Sequence, residues 1–249
     1  MTYAHLADIY DHFASDFNYD EWTEWYLSIL KRAQSEGTDI CDCGCGTGSI
    51  AVRLSKAGKK VIGIDLSEDM LRVASDKARA WGVKIRFVKQ DMRKLQLPRP
   101  VDAVIAACDG VNYLTDEKSV KQFFASAFSA IKPGGALAFD ISNLDKLCSM
   151  GKTYLYGEDR EDATYLWMNE FSETDRKINM HLAFFVREAD GRYRKFEETH
   201  VQRAHLKSEI TEWLEEAGFR DITVYGGDEG ESGGPGGKRM YITAKKPKA

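Results

Sequence analysis

Residues 40–49 read Ile40-Cys41-Asp42-Cys43-Gly44-Cys45-Gly46-Thr47-Gly48-Ser49, and the fold follows from how that stretch must turn. Glycines at alternate positions, Gly44, Gly46 and Gly48, predict a short strand that turns tightly into a helix beginning near Ser49. With no Cβ in the way, a ligand can press against the main chain. The unpaired N–H groups of the helix start favour an anionic or strongly polar ligand group by roughly 0.3–1 kcal/mol. Turns and close helix packing also use glycine, so the turn alone identifies nothing. Asp65 adds to it, seventeen residues after Gly48 at the end of the apolar run Val61-Ile62-Gly63-Ile64. A carboxylate at the tip of the second strand of a doubly wound sheet accepts hydrogen bonds from ribose hydroxyls. Turn and acid together describe a nucleoside site.

The chain has 249 residues, 43% of them hydrophobic and 30% charged, which suits one large globular domain or a domain with a sizeable insertion. No apolar run reaches the length of a membrane span, and residues 1–11 lack a basic segment followed by an apolar one, so the chain reads as cytoplasmic and free of membrane partners. Five cysteines, odd in number and clustered near the turn, do not read as a disulfide framework. A net charge of −4 disfavours a broad nucleic-acid surface. The richest basic patch, Lys238-Arg239 with Lys245, Lys246 and Lys248, reads as a solvated terminus.

Residues 1–31 are rich in aromatics, and Leu6, Ile9, Tyr10, Phe13 and Phe17 recur at helical spacing. They either pad the edge of the domain or cap the ligand site. From Thr38 strands and helices alternate: strands at 39–43, 60–65, 84–89, 101–107 and 136–141, with helices after the first two and at 117–131. The helix over 117–131 carries Val120, Phe123, Phe124, Ala127, Phe128 and Ile131 on one face, and Lys132-Pro133-Gly134-Gly135 stops it. Such alternation predicts a parallel sheet covered on both sides. After Ser142 the rhythm changes to β-prone runs at 163–170, 177–187 and 192–202, an antiparallel meander. A helix returns at 207–217, and strands near 219–225 and 239–244 close the chain. Between them, seven of the twelve residues 226–237 are glycine, which reads as a linker too flexible to pack.

These residues resemble the class I S-adenosylmethionine-dependent methyltransferases. The resemblance rests on Asp42-Cys43-Gly44-Cys45-Gly46-Thr47-Gly48, on Gly63-Ile64-Asp65-Leu66-Ser67 with Met70 and Leu71, on Gln90-Asp91-Met92, and on Ile131-Lys132-Pro133-Gly134-Gly135 in that order. It implies an α/β fold: a doubly wound, Rossmann-like, seven-stranded sheet, six strands parallel and one reversed, over residues 1–142 and 203–249. Residues 1–37 would form a helical cap and 143–202 an inserted antiparallel lid. It also implies S-adenosyl-L-methionine as cofactor. Cys43, Gly44 and Gly46 would face its methionine moiety, with Asp42 toward the ammonium. Asp65 would hold the ribose, Leu66 and Met70 would pack on the adenine, and Asp91 and Met92 would meet its edge. Cys108 would pass near the sulfonium, with Tyr3 and Tyr10 leaning over the cofactor.

The implied reaction moves a methyl group to a nitrogen or oxygen of a small-molecule acceptor by in-line displacement of a neutral thioether, which needs a base only when the acceptor arrives protonated. Asp109 and Asn112, in the loop after the fourth strand, and His181 in the meander are the candidate catalytic residues, with His200 and His205 as further candidate bases and Trp167 as a pocket wall. Cys41, Cys43 and Cys45 invite a metal, but they alternate along the chain, whereas structural zinc sites use Cys-x2-Cys pairs and need a fourth ligand, so no metal is expected. Three alternatives stand beside this reading: an RNA-directed methyltransferase, a non-catalytic cofactor-binding protein and an NAD-dependent oxidoreductase. The last shares turn and acid but prefers G-x-G-x-x-G to the G-x-G-x-G found here.

Overall fold

The computed structural model describes residues 7, 10, 11, 14, 17–35, 37–161, 163–227 and 233–248. In chain order these form α1 (Tyr19–Arg32), β1 (Asp39–Cys43), α2 (Ser49–Lys56), β2 (Lys60–Asp65), α3 (Glu68–Ala80), β3 (Arg86–Lys89), β4 (Val101–Ala106), α4 (Glu117–Ala130) and β5 (Ile131–Ser142). There follow α5 (Leu144–Lys152), β6 (Leu155–Asp159), β7 (Ala163–Ser172), β8 (Lys177–Arg187), β9 (Tyr193–Arg203), α6 (Lys207–Glu216), β10 (Arg220–Tyr225) and β11 (Arg239–Lys245). Tyr3, and the helical spacing expected of Leu6, Ile9 and Phe13, lie outside the described residues.

Seven strands make one sheet in the order β10-β11-β5-β4-β1-β2-β3, and β11 runs against both its neighbours. Side chains that alternate along each strand split the core into two layers. In β4, Val104 and Ala106 face one layer while Ala103 and Ile105 face the other; in β5, Leu137, Phe139 and Ile141 oppose Ala136 and Ala138. The first layer is closed by Phe123 and Phe124 of α4 with Trp213 and Leu214 of α6, the second by Trp22, Tyr26 and Ile29 of α1 with Ile50 and Leu54 of α2. Each such side chain, fully buried, contributes roughly 1.5–3 kcal/mol. The carboxyl ends of the parallel strands all open on one edge, where a switch in strand order between β1 and β4 leaves a crevice.

The lid is an antiparallel meander, β6-β7-β8-β9. Its inner face carries Tyr165, Ile178, Met180, Leu182 and Phe184, packed on Leu147 of α5. Asn112 fastens its two stems together: the amide Nδ2 donates to the carbonyls of Ser142 (3.1 Å) and Arg203 (2.9 Å), and Oδ1 accepts from the Ser142 N–H (2.9 Å).

Several expectations change. Helix α5 and strand β6 were not anticipated. Asn143 caps α5 by accepting from the Lys146 N–H at 2.9 Å, but the helix is short, ends near Gly151 and offers only Leu144, Leu147 and Met150 as an apolar stripe. β5 starts at Ile131, paired with Val101, and Lys132–Gly135 bulge out before pairing resumes at Ala136, so residues that read as a loop belong to the strand. The end of the glycine-rich segment packs tightly: a Cβ on Gly234 would stand 2.6 Å from the Trp25 ring and one on Gly236 2.6 Å from Trp22, and Tyr241 Oη donates to the Pro235 carbonyl at 2.7 Å. Glycine there serves close approach to the α1 aromatics. Arg239, read as part of a solvated tail, is only 4% exposed.

Candidate active site

The crevice is built from the β1 turn outward. Gly44, Gly46 and Gly48 all take left-handed φ values (69°, 52° and 75°). At Gly48 a side chain is also excluded by space, since a Cβ would stand 2.9 Å from Ala74 Cβ of α3; at Gly46 a Cβ would meet nothing within 4 Å, so the backbone there lies open. Asp65 braces the turn, accepting from the Gly46 N–H and the Ser67 N–H, both at 2.9 Å. Burial raises its pKa, and these N–H donors partly offset the rise. Asp42 is 2% exposed, and its Oδ2 has no hydrogen-bond partner among the described residues. Burial, and secondarily the charge of Asp65, lifts its pKa from 3.8 to about 7.

At the β3 tip, Asp91 is held by Arg93 (2.6 Å to Nη2), whose hydrogen bonds lower its pKa. Met92 lies close to the turn, with Cε 3.4 Å from where a Gly44 Cβ would be. Leu66 is 62% exposed beside the opening, whereas Met70 is 2% exposed. Asp11 reaches the same turn. It accepts from Thr47 Oγ1 at 2.7 Å and pairs with Lys77 at 2.7 Å, and Lys77 also donates to Ser49 Oγ at 2.6 Å. Tyr10, next in sequence, packs on the inner cluster of the lid. Burial keeps its hydroxyl protonated, with Tyr19, Cys108, Tyr113 and Asp109 acting in the same direction.

After β4 the chain takes two consecutive left-handed residues, Cys108 (φ 57°) and Asp109 (φ 65°), an arrangement that costs about 1–3 kcal/mol per residue unless the surroundings hold it. Asp140 of β5 supplies the hold, accepting from the Cys108 N–H at 2.8 Å and the Asp109 N–H at 3.2 Å. Fully buried, Asp140 also accepts from Tyr26 Oη (2.6 Å) and Arg239 Nη1 (2.6 Å). Arg239 Nη2 donates to Asp109 Oδ2 at 2.8 Å, and its guanidinium lies 4.9 Å from the Trp22 ring centroid. A buried cation thus pairs with two carboxylates and fixes the loop. Lys146 of α5 reaches the same corner, its pKa lowered by burial and partly restored by Asp109.

The three candidate catalytic residues require correction. Asp109 is engaged by Arg239 and by Ser142 (Oγ at 2.7 Å, N at 3.0 Å). Burial alone would raise its pKa, but Arg239 and then Lys146 hold it at about 2, far too acidic for a base at neutral pH. Asn112 is 0% exposed and spends its amide on the lid stems. His181 lies exposed on the outer lid face, where Nδ1 meets Thr199 Oγ1 at 3.2 Å. His205 is buried against Trp213, its pKa lowered to about 4 by burial and then by Arg203, so it is neutral and outside the crevice. Cys108 keeps its thiol proton, chiefly through burial.

His200, by contrast, points inward. Tyr113, from the turn after β4, places Oη 3.2 Å from His200 Nδ1, and His200 Nε2 lies 3.3 Å from Glu198 Oε2. Trp167 Nε1 and Asn169 Oδ1, on the same inner face, are buried without a hydrogen-bond partner among the described residues. Sequence reasoning missed Asp140, Arg239, Tyr113 and Glu198. Asp140 left a signal, as the one acid in the buried run Ala136–Ile141, which demands a partner. A concavity of about 630 Å³ lined by Lys59, Lys60, Arg79, Lys84 and Arg86 sits at the amino ends of β2 and β3, away from this site.

A family profile described as a methyltransferase domain matches residues 40–135. A protein of Geobacillus sp. (strain WCH70) assigned to the methyltransferases is 34% identical over 99% of this chain and 100% of its own. A glycine/sarcosine N-methyltransferase of Halorhodospira halochloris is 28% identical over 87% of this chain and 83% of its own. The crystal structure of an S-adenosylmethionine-dependent methyltransferase from Clostridium acetobutylicum superposes with a TM-score of 0.84 at 27% identity, covering 98% of this chain and 99% of that one. The chain belongs to the class I S-adenosylmethionine-dependent methyltransferases. Its cofactor is S-adenosyl-L-methionine, and the dehydrogenase alternative is set aside. The donor set fits such a cofactor: an open glycine backbone beside a buried, unpartnered carboxylate oxygen at Asp42 suits a ligand carrying both a polar skeleton and a cationic amino group.

Proposed function

We propose that the protein transfers the methyl group to a nitrogen or oxygen of a small molecule held between the strand tips and the lid. The observation that carries this reading is Tyr10, which packs on the inner lid cluster while its hydroxyl lies among Tyr19, Cys108 and Tyr113. A side chain bridging lid and crevice would narrow the way into the space between them, and a narrowed space suits a small acceptor better than a polymer. The small-molecule acceptor named for the Halorhodospira relative agrees with this.

When bound, S-adenosyl-L-methionine supplies an electrophilic methyl on a cationic sulfur that leaves as a neutral thioether. The residues of the chain bind, orient and exclude water. The main chain at Cys43, Gly44 and Gly46 holds the methionine moiety, Asp42 its amino group and Asp65 the ribose hydroxyls. Leu66 and Met92 cover the adenine, with Asp91 at its edge, where the N–H, Nε and Nη2 of Arg93 already donate to the carboxylate. Met70, 2% exposed, leaves the adenine face to Leu66. Tyr10 and Tyr113 would offer electron-rich ring surface and oxygen to the cationic centre, at about 0.5–2 kcal/mol per ring contact. Holding nucleophile and methyl in line supplies up to roughly 7–11 kcal/mol of the barrier reduction.

Calorimetry with S-adenosylhomocysteine, followed by transfer of tritiated methyl to a panel of amines, phenols and bulk RNA, tests the reading. Binding together with labelling of a small amine or phenol is expected. Labelling of RNA alone would overturn it.

A further inference from the structure

Burying a carboxylate and an imidazole side by side on an apolar sheet face is costly unless they are paired and used. Glu198 and His200 of β9 project from the same inner face, each side chain 4% exposed, with Leu182 and Met180 as cross-strand neighbours. Beyond those neighbours, across β8, come Trp167 and Asn169, whose Nε1 and Oδ1 are the buried atoms left without partners among the described residues. This strip of the lid therefore holds an acid, an imidazole, a spare donor and a spare acceptor in a surround of Met180, Leu182 and Phe184. Tyr113 joins it to the crevice. It is half-buried, its ring meets His200 edge-on at 5.9 Å, and it stands in the turn that follows Cys108 and Asp109.

We propose that Tyr113, His200 and Glu198 form a proton relay, Tyr113 being the group that touches the acceptor, and that the acceptor is an amine that arrives as its ammonium ion. The proposal rests on the small-molecule reading above and names the acceptor class within it. An ionised Glu198 accepts from Nε2–H, which fixes the imidazole tautomer and leaves the Nδ1 lone pair to accept from Tyr113 Oη–H. An ammonium nitrogen has no lone pair for attack and is repelled by a sulfonium. Its proton passes to Tyr113 Oη as the phenol proton passes to His200 Nδ1, and the imidazolium so formed lies against the Glu198 carboxylate. The freed nitrogen lone pair then forms the N–C bond while the C–S electron pair leaves with sulfur. Charge is conserved at each step, and the positive charge sits two side chains away from the donor when the amine attacks. Tyr113 is the catalytic residue; His200 and Glu198 act through it as positioning residues.

The test uses the full chain with sarcosine and N-methylglucamine as probe amines. Tyr113→Phe and His200→Ala are expected to lower kcat by about 10²–10⁴-fold, with KM and S-adenosylhomocysteine affinity within about twofold of the parent. Free imidazole should restore part of the activity of His200→Ala, and His181→Gln on the outer lid face should match the parent. Imidazole nitrogen shifts in ¹⁵N-histidine-labelled protein should show the Nε2–H tautomer at His200, a readout that needs no acceptor and decides alone if neither probe is turned over. Parent-like kcat in His200→Ala, or the Nδ1–H tautomer in the parent, would overturn the relay while leaving small-molecule transfer standing. Loss of S-adenosylhomocysteine binding by the parent would instead count against the reading beneath it.

Discussion

Asp42 shows how one residue can serve a ligand at the expense of the fold. Its carboxyl is nearly sealed from water, and burial, then Asp65, raises its pKa from 3.8 to about 7. A folded-state value above the unfolded one means that the folded protein holds a proton the unfolded chain has lost. Asp42 therefore contributes its full stability below about pH 4, and that contribution falls as pH rises toward 7, by up to ~1.4 kcal/mol per unit. Asp42→Asn keeps the shape and removes the ionisation. Between pH 5 and 8 the melting temperature of the ligand-free parent should fall relative to that of the variant; parallel curves would show that Asp42 does not titrate as its surroundings require. A cationic ligand group at Oδ2 reverses the preference, so S-adenosylhomocysteine should protect the parent more at pH 8 than at pH 6. The sequence located this acid because it abuts the glycines. It concealed the carboxylate–guanidinium cluster of Asp109, Asp140 and Arg239, whose members lie 31 to 130 positions apart and meet only once β11 is laid beside β5.

At the scale of elements, β1, its turn and α2 were legible because their constraint is local: three left-handed positions in five residues admit little but glycine. Gly48 separates the two uses of glycine cleanly. Its φ of 75° disfavours any side chain, and a Cβ would lie 2.9 Å from Ala74 Cβ and 3.2 Å from the Phe87 ring. Gly48→Ala should destabilise the domain by about 2–4 kcal/mol, strain and overpacking together, measured by urea unfolding. Gly46→Ala, with open space around it, should lose less stability and more cofactor affinity. Equal stability losses at the two positions would mean that α3 does not press on the turn. The elements that escaped notice, α5 and β6, lack such local compulsion. β6 is an edge strand whose Tyr154–Tyr156 approach remains exposed, and α5 gains its burial from β7 and β8, which reach it only through the fold. Edges and short helices take their identity from neighbours, which a single sequence does not display.

The molecule as a whole joins a binding platform to a chamber cover through a narrow stem. Asn112 bonds the carbonyls of Ser142 and Arg203 with one amide nitrogen, so the chain leaves the platform and returns to it within the span of a single side chain. The two sheets have separate hydrophobic clusters, and the platform core is complete without Leu147, Tyr165 or Phe184. Platform and cover should therefore be separable. Replacing residues 144–203 by a short Gly-Ser linker between Asn143 and Ala204 should leave a folded domain, because closing a loop of few residues over so small a gap costs little entropy. The excised protein should bind S-adenosylhomocysteine within about tenfold of the parent, since Asp42, Asp65 and the glycine turn remain. Methyl transfer to any small acceptor should fall below detection, because Glu198, His200 and the apolar inner face leave together and water enters the crevice. Intact cofactor affinity with lost transfer is the signature of a cover that shapes the acceptor site. Collapse of affinity in a protein that still unfolds cooperatively would show that the lid also holds the donor, with Tyr10 as the side chain through which the two halves act.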